Sequence, residues 1–111
     1  MQREIKKYLF DIIESIDSIE EYLGGKRDFN LYLANKLLRR AIERELEIIG
    51  EATSRILKID SSVSIEDARR IVDLRNLVIH GYDKIDDVIM WGIISKDIPN
   101  LKDQVQQLLS E

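Results

Sequence analysis

One short segment, RNLVIHGY at residues 75–82, concentrates the side chains that could carry out chemistry, and it contains the only histidine in the chain. Histidine is the side chain whose ordinary pKa lies closest to neutrality, so it can take up and release protons at physiological pH. A lone histidine is more often structural than catalytic. The nearby Arg75 and Asn76 are what make His80 a candidate for function.

These residue types suit the cleavage of RNA without a metal ion. That reaction needs a base for the ribose 2′-hydroxyl, an acid for the leaving 5′-oxygen and a cation for the charged phosphorane. Arg75 suits the phosphate because a planar guanidinium donates two parallel hydrogen bonds. On a helix, Asn76 and His80 share one face, whereas Arg75 lies about 140° around the axis from His80. Two such helices around a twofold axis would bring two arginines and two histidines to one cleft, which predicts a homodimer.

Helices are predicted to position this segment. Apolar residues at helical spacing predict a first helix that stops at Gly24-Gly25. A second helix, capped by Asp28 or Asn30, should run unbroken to about Lys58, with Leu31 and Leu37 on its apolar stripe. Gly50 lies inside this helix, and close packing explains it better than a break.

The candidate segment falls at the end of a predicted third helix. A capping-box-like Ser64 begins that helix, and it should continue to about His80. A fourth helix is expected over residues 85–96, and Pro99 should end or kink it because proline lacks an amide hydrogen. A short amphipathic helix over residues 101–109 completes the chain. The pattern predicts an all-α fold, an antiparallel bundle of four to five helices in a single domain of residues 1–111.

Composition excludes several classes of protein. The chain has no cysteine, which excludes disulfides and thiolate metal sites. No apolar run approaches the roughly 20 residues needed to cross a bilayer, and acidic residues near the N-terminus do not fit a signal peptide. We therefore expect a cytoplasmic protein with no membrane contact.

Charge is distributed unevenly along the chain. The net charge of −4 argues against broad nucleic-acid binding, yet six basic residues stand against two acidic ones between Lys26 and Arg44. This stretch is either a solvated helix face or a patch that faces phosphate or a partner.

Two further groups of residues have competing interpretations. Glu47 and Glu51 could hold a divalent metal, but pairing with Arg44 or Arg55 is favoured, and we predict neither a metal nor a cofactor. Five aromatic residues could stack on bases, although their helical spacing favours the core or an interface: Tyr8, Tyr22, Phe29, Tyr32 and Trp91.

The chain resembles the HepT toxins of the HEPN superfamily in three blocks. RNLVIHGY is similar to the HEPN signature, in which an arginine and a polar residue precede a histidine and a tyrosine. Residues 46–52 read LEIIGEA, as in that family. Residues 97–101, DIPNL, resemble its D-L-P-x-L motif after an acidic, Trp-containing helix.

The resemblance implies a fold, an activity and partners. It implies a dimeric HEPN-like helical domain that cleaves RNA, such as tRNA or mRNA, with Arg75 and His80, while Asn76 orients the imidazole or the phosphate. It also implies an antitoxin partner, the minimal nucleotidyltransferase MntA, which silences the toxin by adding AMP to Tyr82.

Other interpretations stay open. Tyr82 could simply pack its ring on the core, as tyrosines after helices often do. The chain could also be a non-catalytic helical module that binds a nucleotide or docks a nucleotidyltransferase, with Arg75 and His80 binding phosphate. If the signature were coincidental, the chain would be a generic helical bundle.

Overall fold

The computed structural model describes residues 1–65, 70, 72–73 and 87–111. Every regular element in these ranges is helical, which confirms the predicted all-α fold. No described helix is both long and apolar enough to cross a bilayer. The elements are α1 (Arg3–Leu23), α2 (Phe29–Ala34), α3 (Lys36–Ile59), α4 (Asp87–Gly92), a π-helical segment (Ile93–Asp97) and α5 (Ile98–Leu109).

Helix α1 ends where the glycine pair predicted. Gly24 has a left-handed backbone with φ of 63°, and its N–H donates to the carbonyl of Glu21. A residue without Cβ adopts this conformation at little cost, so glycine is the usual residue just after a helix.

The second predicted helix is broken in the structure, so the prediction of one continuous helix to about Lys58 was wrong. Asn35 has an extended backbone, with φ −112° and ψ 96°, and separates α2 from α3. Its side-chain oxygen accepts from the N–H of Leu38 at 3.0 Å, so the amide caps α3 rather than continuing α2. Asp28, not Asn30, caps α2 by accepting from two backbone N–H groups. Arg39 also donates to the carbonyl of Leu33 near the end of α2.

The core lies mainly between α1 and α3. Tyr22, near the end of α1, donates a hydrogen bond to Glu45 in the first half of α3. Tyr8, near the start of α1, lines the same groove as Arg55, near the end of α3. The two helices therefore run antiparallel. Both helices bury residues at alternating spacings of four and three: Ile5, Leu9, Ile12, Ile16 and Ile19 in α1, and Ile42, Leu46, Ile49, Thr53 and Ile56 in α3. This spacing is the apolar stripe of an amphipathic helix.

The second predicted stripe was only partly right. Gly50 is buried within an uninterrupted α3, as predicted. Leu31 and Leu37, however, are 52% and 80% exposed, because the break at Asn35 removes α2 and the first turn of α3 from the register of the stripe.

The chain does not leave the helical conformation at Pro99, which was predicted to end or kink the helix that carries Trp91. The backbone stays right-handed helical through Gly92, Asp97 and Ile98, and Pro99 occupies the first turn of α5. Proline is tolerated there because the hydrogen bonding changes to the wider π pattern just before it.

An arginine compensates for the amide hydrogen that Pro99 lacks. In the π pattern the carbonyl of residue i accepts from the N–H of residue i+5, as Ile93 does from Ile98. The corresponding donor for Ile94 would be residue 99, which is proline. The guanidinium of Arg27 takes its place and donates to the Ile94 carbonyl at 3.1 Å.

Candidate active site

The four residues nominated from the sequence, Arg75, Asn76, His80 and Tyr82, lie outside the described residues. Most of the predicted third helix lies there too. Arg70, Val72 and Asp73, which belong to that predicted helix, have helical backbone. The structure therefore describes parts of the chain before and after the candidate segment, namely Arg70, Val72 and Asp73 before it and α4 after it.

An ion pair links the start of this predicted helix to the π-helical segment. The Arg70 guanidinium lies 3.3 Å from the Asp97 carboxylate. The side chain of Asp97 is 12% exposed and that of Arg70 is 59% exposed, so the carboxylate is the more enclosed partner. Asp97 is also the first residue of the DIPNL block.

The LEIIGEA block forms one wall of a groove between α1 and α3. The groove has a volume of about 250 Å³ and is lined by Tyr8, Asp11, Arg44, Glu47, Ile48, Glu51, Ala52 and Arg55. Its charges are largely paired within α3, since Arg44 lies 3.2 Å from Glu47 and Arg55 lies 3.1 Å from Glu51. The predicted pairing of these glutamates with arginines is confirmed. Within the ranges that the structure describes, no three carboxylates or histidines gather as a metal site would require.

The aromatic residues are mostly structural, as their spacing predicted. Trp91 packs against Phe29 and Tyr32, with ring centroids 5.9 and 5.3 Å apart. Tyr32 is 1% exposed, and burial, followed by the charges of Asp87 and Glu43, raises the pKa of its hydroxyl to about 12. This cluster joins α2 to α4. Stacking on bases is therefore not available to Tyr32.

The basic stretch has two kinds of residue. Arg27 and Arg39 donate to backbone carbonyls, and Arg44 pairs with Glu47, so these three have structural partners. Lys26, Lys36 and Arg40, by contrast, are solvent-exposed. About half of the predicted patch is therefore part of the scaffold.

The contacts of Arg27, Arg70 and Asp97 were not predicted from the sequence. The partners of Arg27 and Arg70 lie 67 and 27 positions away, and no local spacing reveals contacts over that separation. The one feature of the sequence that could have indicated the contact of Asp97 was the DIPNL block, in which this acidic residue stands two positions before the proline.

Comparison with known proteins points to one family. The family model described as "Ribonuclease HepT-like" matches residues 12–108. A protein of Methanocaldococcus jannaschii that carries the name "Putative RNase" is 37% identical over 107 residues, which cover 95% of this chain and 96% of that protein. "Probable ribonuclease HepT" of Thermococcus cleftensis is 36% identical over 109 residues, with coverage of 97% and 98%. No solved structure matches the chain.

Proposed function

Because this chain belongs to the HepT-like ribonuclease family, we propose that it is a metal-independent endoribonuclease and the toxin of a toxin–antitoxin pair. The observation that carries the proposal is the match over residues 12–108, which encloses the whole segment from Arg75 to Tyr82. The cytoplasm, where tRNA and mRNA are found, is the expected place of action.

The proposed reaction uses two copies of the chain. One His80 takes the proton of a ribose 2′-hydroxyl, whose oxygen then attacks the adjacent phosphorus. His80 of the partner subunit gives a proton to the departing 5′-oxygen, which leaves a 2′,3′-cyclic phosphate and a 5′-hydroxyl. Arg75 binds the phosphate and stabilises the negative charge that develops on it. Asn76 orients the imidazole or the phosphate.

Tyr82 is the proposed regulatory site. Its hydroxyl oxygen would attack the α-phosphorus of ATP on an MntA-like nucleotidyltransferase, forming a phosphodiester to AMP and releasing pyrophosphate. A nucleotide two residues from His80 adds a negative charge and a bulky group where the RNA phosphate must bind. Tyr82→Phe should accept no AMP from the enzyme and should remain active after incubation with it and ATP.

The proposal is tested by incubating purified protein with tRNA and mRNA in EDTA. Wild type should cleave RNA under these conditions, whereas His80→Ala and Arg75→Ala should lose at least about a hundredfold in rate, since each acid–base or charge-stabilising role contributes this much or more. Arg3→Ala is the matched control for the loss of an arginine. Arg3 is exposed in the first turn of α1, so the Arg3→Ala variant should cleave RNA at the wild-type rate.

Two outcomes would contradict the proposal. If wild type cleaves no RNA but binds nucleotides or the nucleotidyltransferase, the chain is a non-catalytic binding module. If wild type cleaves only after a divalent metal is added, the metal-independent chemistry of two imidazoles is wrong.

A further inference from the structure

We propose that the Arg70–Asp97 ion pair is a positioning device, which sets the orientation of the predicted helix that carries Arg75 and His80. The inference rests on the proposed function, because it assigns two further residues to the same site. Neither residue needs to touch RNA in this role.

Asp97 offers a fixed anchoring point. It belongs to the π-helical segment, whose wide turn is held by the bond from the Ile98 N–H to the Ile93 carbonyl and by Arg27 at the Ile94 carbonyl. Short π-helical segments within longer helices occur frequently at functional sites. With its side chain only 12% exposed, the carboxylate has little freedom to follow a moving partner.

Arg70 is the second of two attachments near the start of the predicted helix. The first is Ile65, which is 6% exposed and belongs to the hydrophobic core. Ile65 itself has no helical backbone, so it anchors the chain just before the helix to which Arg70 belongs. A buried residue before the helix and an ion pair within it together fix the position of the start of the helix.

Small changes in tilt would matter at the catalytic end. In the helix that the sequence predicts to run to about His80, a rise of 1.5 Å per residue would place His80 about 15 Å from Arg70. A tilt of about 5° at Arg70 would therefore move His80 by about 1 Å. A misplacement of about 1 Å can cost as much as a hundredfold in rate.

The pair is better suited to orientation than to overall stability. Ion pairs with an exposed partner contribute little to stability, because water screens them and holding a long side chain costs entropy. Loss of the pair should therefore change the reaction rate without unfolding the protein.

The test compares the steady-state cleavage of RNA by variants of the full chain. Arg70→Gln should lower kcat about tenfold while KM stays within about twofold, because the bound RNA keeps its contacts. Arg70→Lys should retain most of the rate. Asp97→Asn should match Arg70→Gln, and the double variant should be no slower than either single variant, since both remove one interaction.

Lys102→Gln serves as the control. Lys102 bridges α5 to α1 by ion pairs of 3.0 Å to Asp17 and 3.1 Å to Glu20, and the loss of these pairs should leave kcat unchanged. A rise in KM without a fall in kcat for Arg70→Gln would overturn the proposal, because Arg70 would then bind RNA directly. Multiplicative effects of the two substitutions would also overturn it.

A second measurement does not depend on ribonuclease activity. His80 is the only histidine, so in protein freed of any histidine tag a single imidazole signal reports its environment by NMR. Arg70→Gln and Asp97→Asn should shift this signal in the same way, and Lys102→Gln should not. An unchanged signal in both variants would overturn the positioning role even if wild type is active. A shifted signal in a protein that cleaves no RNA would contradict only the proposed function.

Discussion

At the residue scale, the chemistry of a side chain was predictable but its partner often was not. Arg44 and Arg55 pair with glutamates three and four positions away, and helical spacing alone predicted these contacts. Arg27 has the same chemistry and lies in the same basic stretch, yet it donates to a carbonyl 67 positions away. Local periodicity carries no information about such a contact.

Tyr32 leads to a prediction about stability at high pH. Burial raises its pKa from the ordinary 10.0 to about 12, so the folded protein resists ionisation of this hydroxyl while the unfolded chain does not. The stability that this adds is complete below pH 10 and is lost as the pH rises towards 12. Between these values the free energy of unfolding of wild type should fall by up to about 2 kcal/mol more than that of Tyr32→Phe.

The measurement is urea unfolding of both proteins at several pH values from 9 to 12, a range chosen to bracket the pKa of about 12 and the ordinary 10.0. Other groups titrate equally in the two proteins, so their effects cancel in the difference. Parallel curves would show that Tyr32 ionises as easily in the folded protein as in the unfolded chain.

At the scale of the elements, periodicity identified α1 and its buried residues well, and it identified the residues of α3 as helical. It did not identify the buried face of α3, because Ile42, Leu46 and Ile49 are buried there and were not on the predicted stripe. It missed the break at Asn35, and it did not predict that the backbone stays helical up to Pro99. The Asn35 amide caps a new helix where the apolar pattern continued, whereas the π-helical segment and Arg27 accommodate a proline that was expected to interrupt the helix. At both positions a side chain, that of Asn35 or Arg27, makes the hydrogen bond to a backbone group that the backbone of a regular helix would otherwise make.

A double-mutant cycle can test whether the Arg27 guanidinium replaces the amide hydrogen that Pro99 lacks. Arg27→Ala should cost about 1–2 kcal/mol of stability, because the Ile94 carbonyl is buried and loses a charged donor. In a Pro99→Ala background residue 99 can itself donate to that carbonyl. The cost of Arg27→Ala should then fall below about 0.5 kcal/mol.

Arg39→Ala is the matched control for this cycle, since Arg39 also donates to backbone carbonyls but at the end of α2. Its cost should be the same with proline or alanine at position 99. Equal costs of Arg27→Ala in the two backgrounds would mean that Arg27 does not replace the proline's missing hydrogen.

At the scale of the whole molecule, the sequence predicted a site and a homodimer but not the surfaces through which two copies pair. In the proposed reaction, RNLVIHGY would supply a base, an acid and a cation only if two copies contribute, because one chain has a single imidazole. Which surfaces pair depends on shape and charge distributed over several helices, and no local motif encodes this. The described part of the chain contributes the frame: the core of α1 and α3, the π-helical segment and the Arg70–Asp97 pair.

The most direct test of a shared cleft is the activity of a mixed dimer. Wild-type and His80→Ala chains, co-expressed with two different affinity tags, can be isolated as dimers that contain one of each. If one cleft needs both histidines, this mixed dimer should have less than about a tenth of the wild-type rate of RNA cleavage, since either the acid or the base is missing. A mixed dimer that keeps half of the wild-type rate would contradict the shared cleft, because each subunit would then work alone.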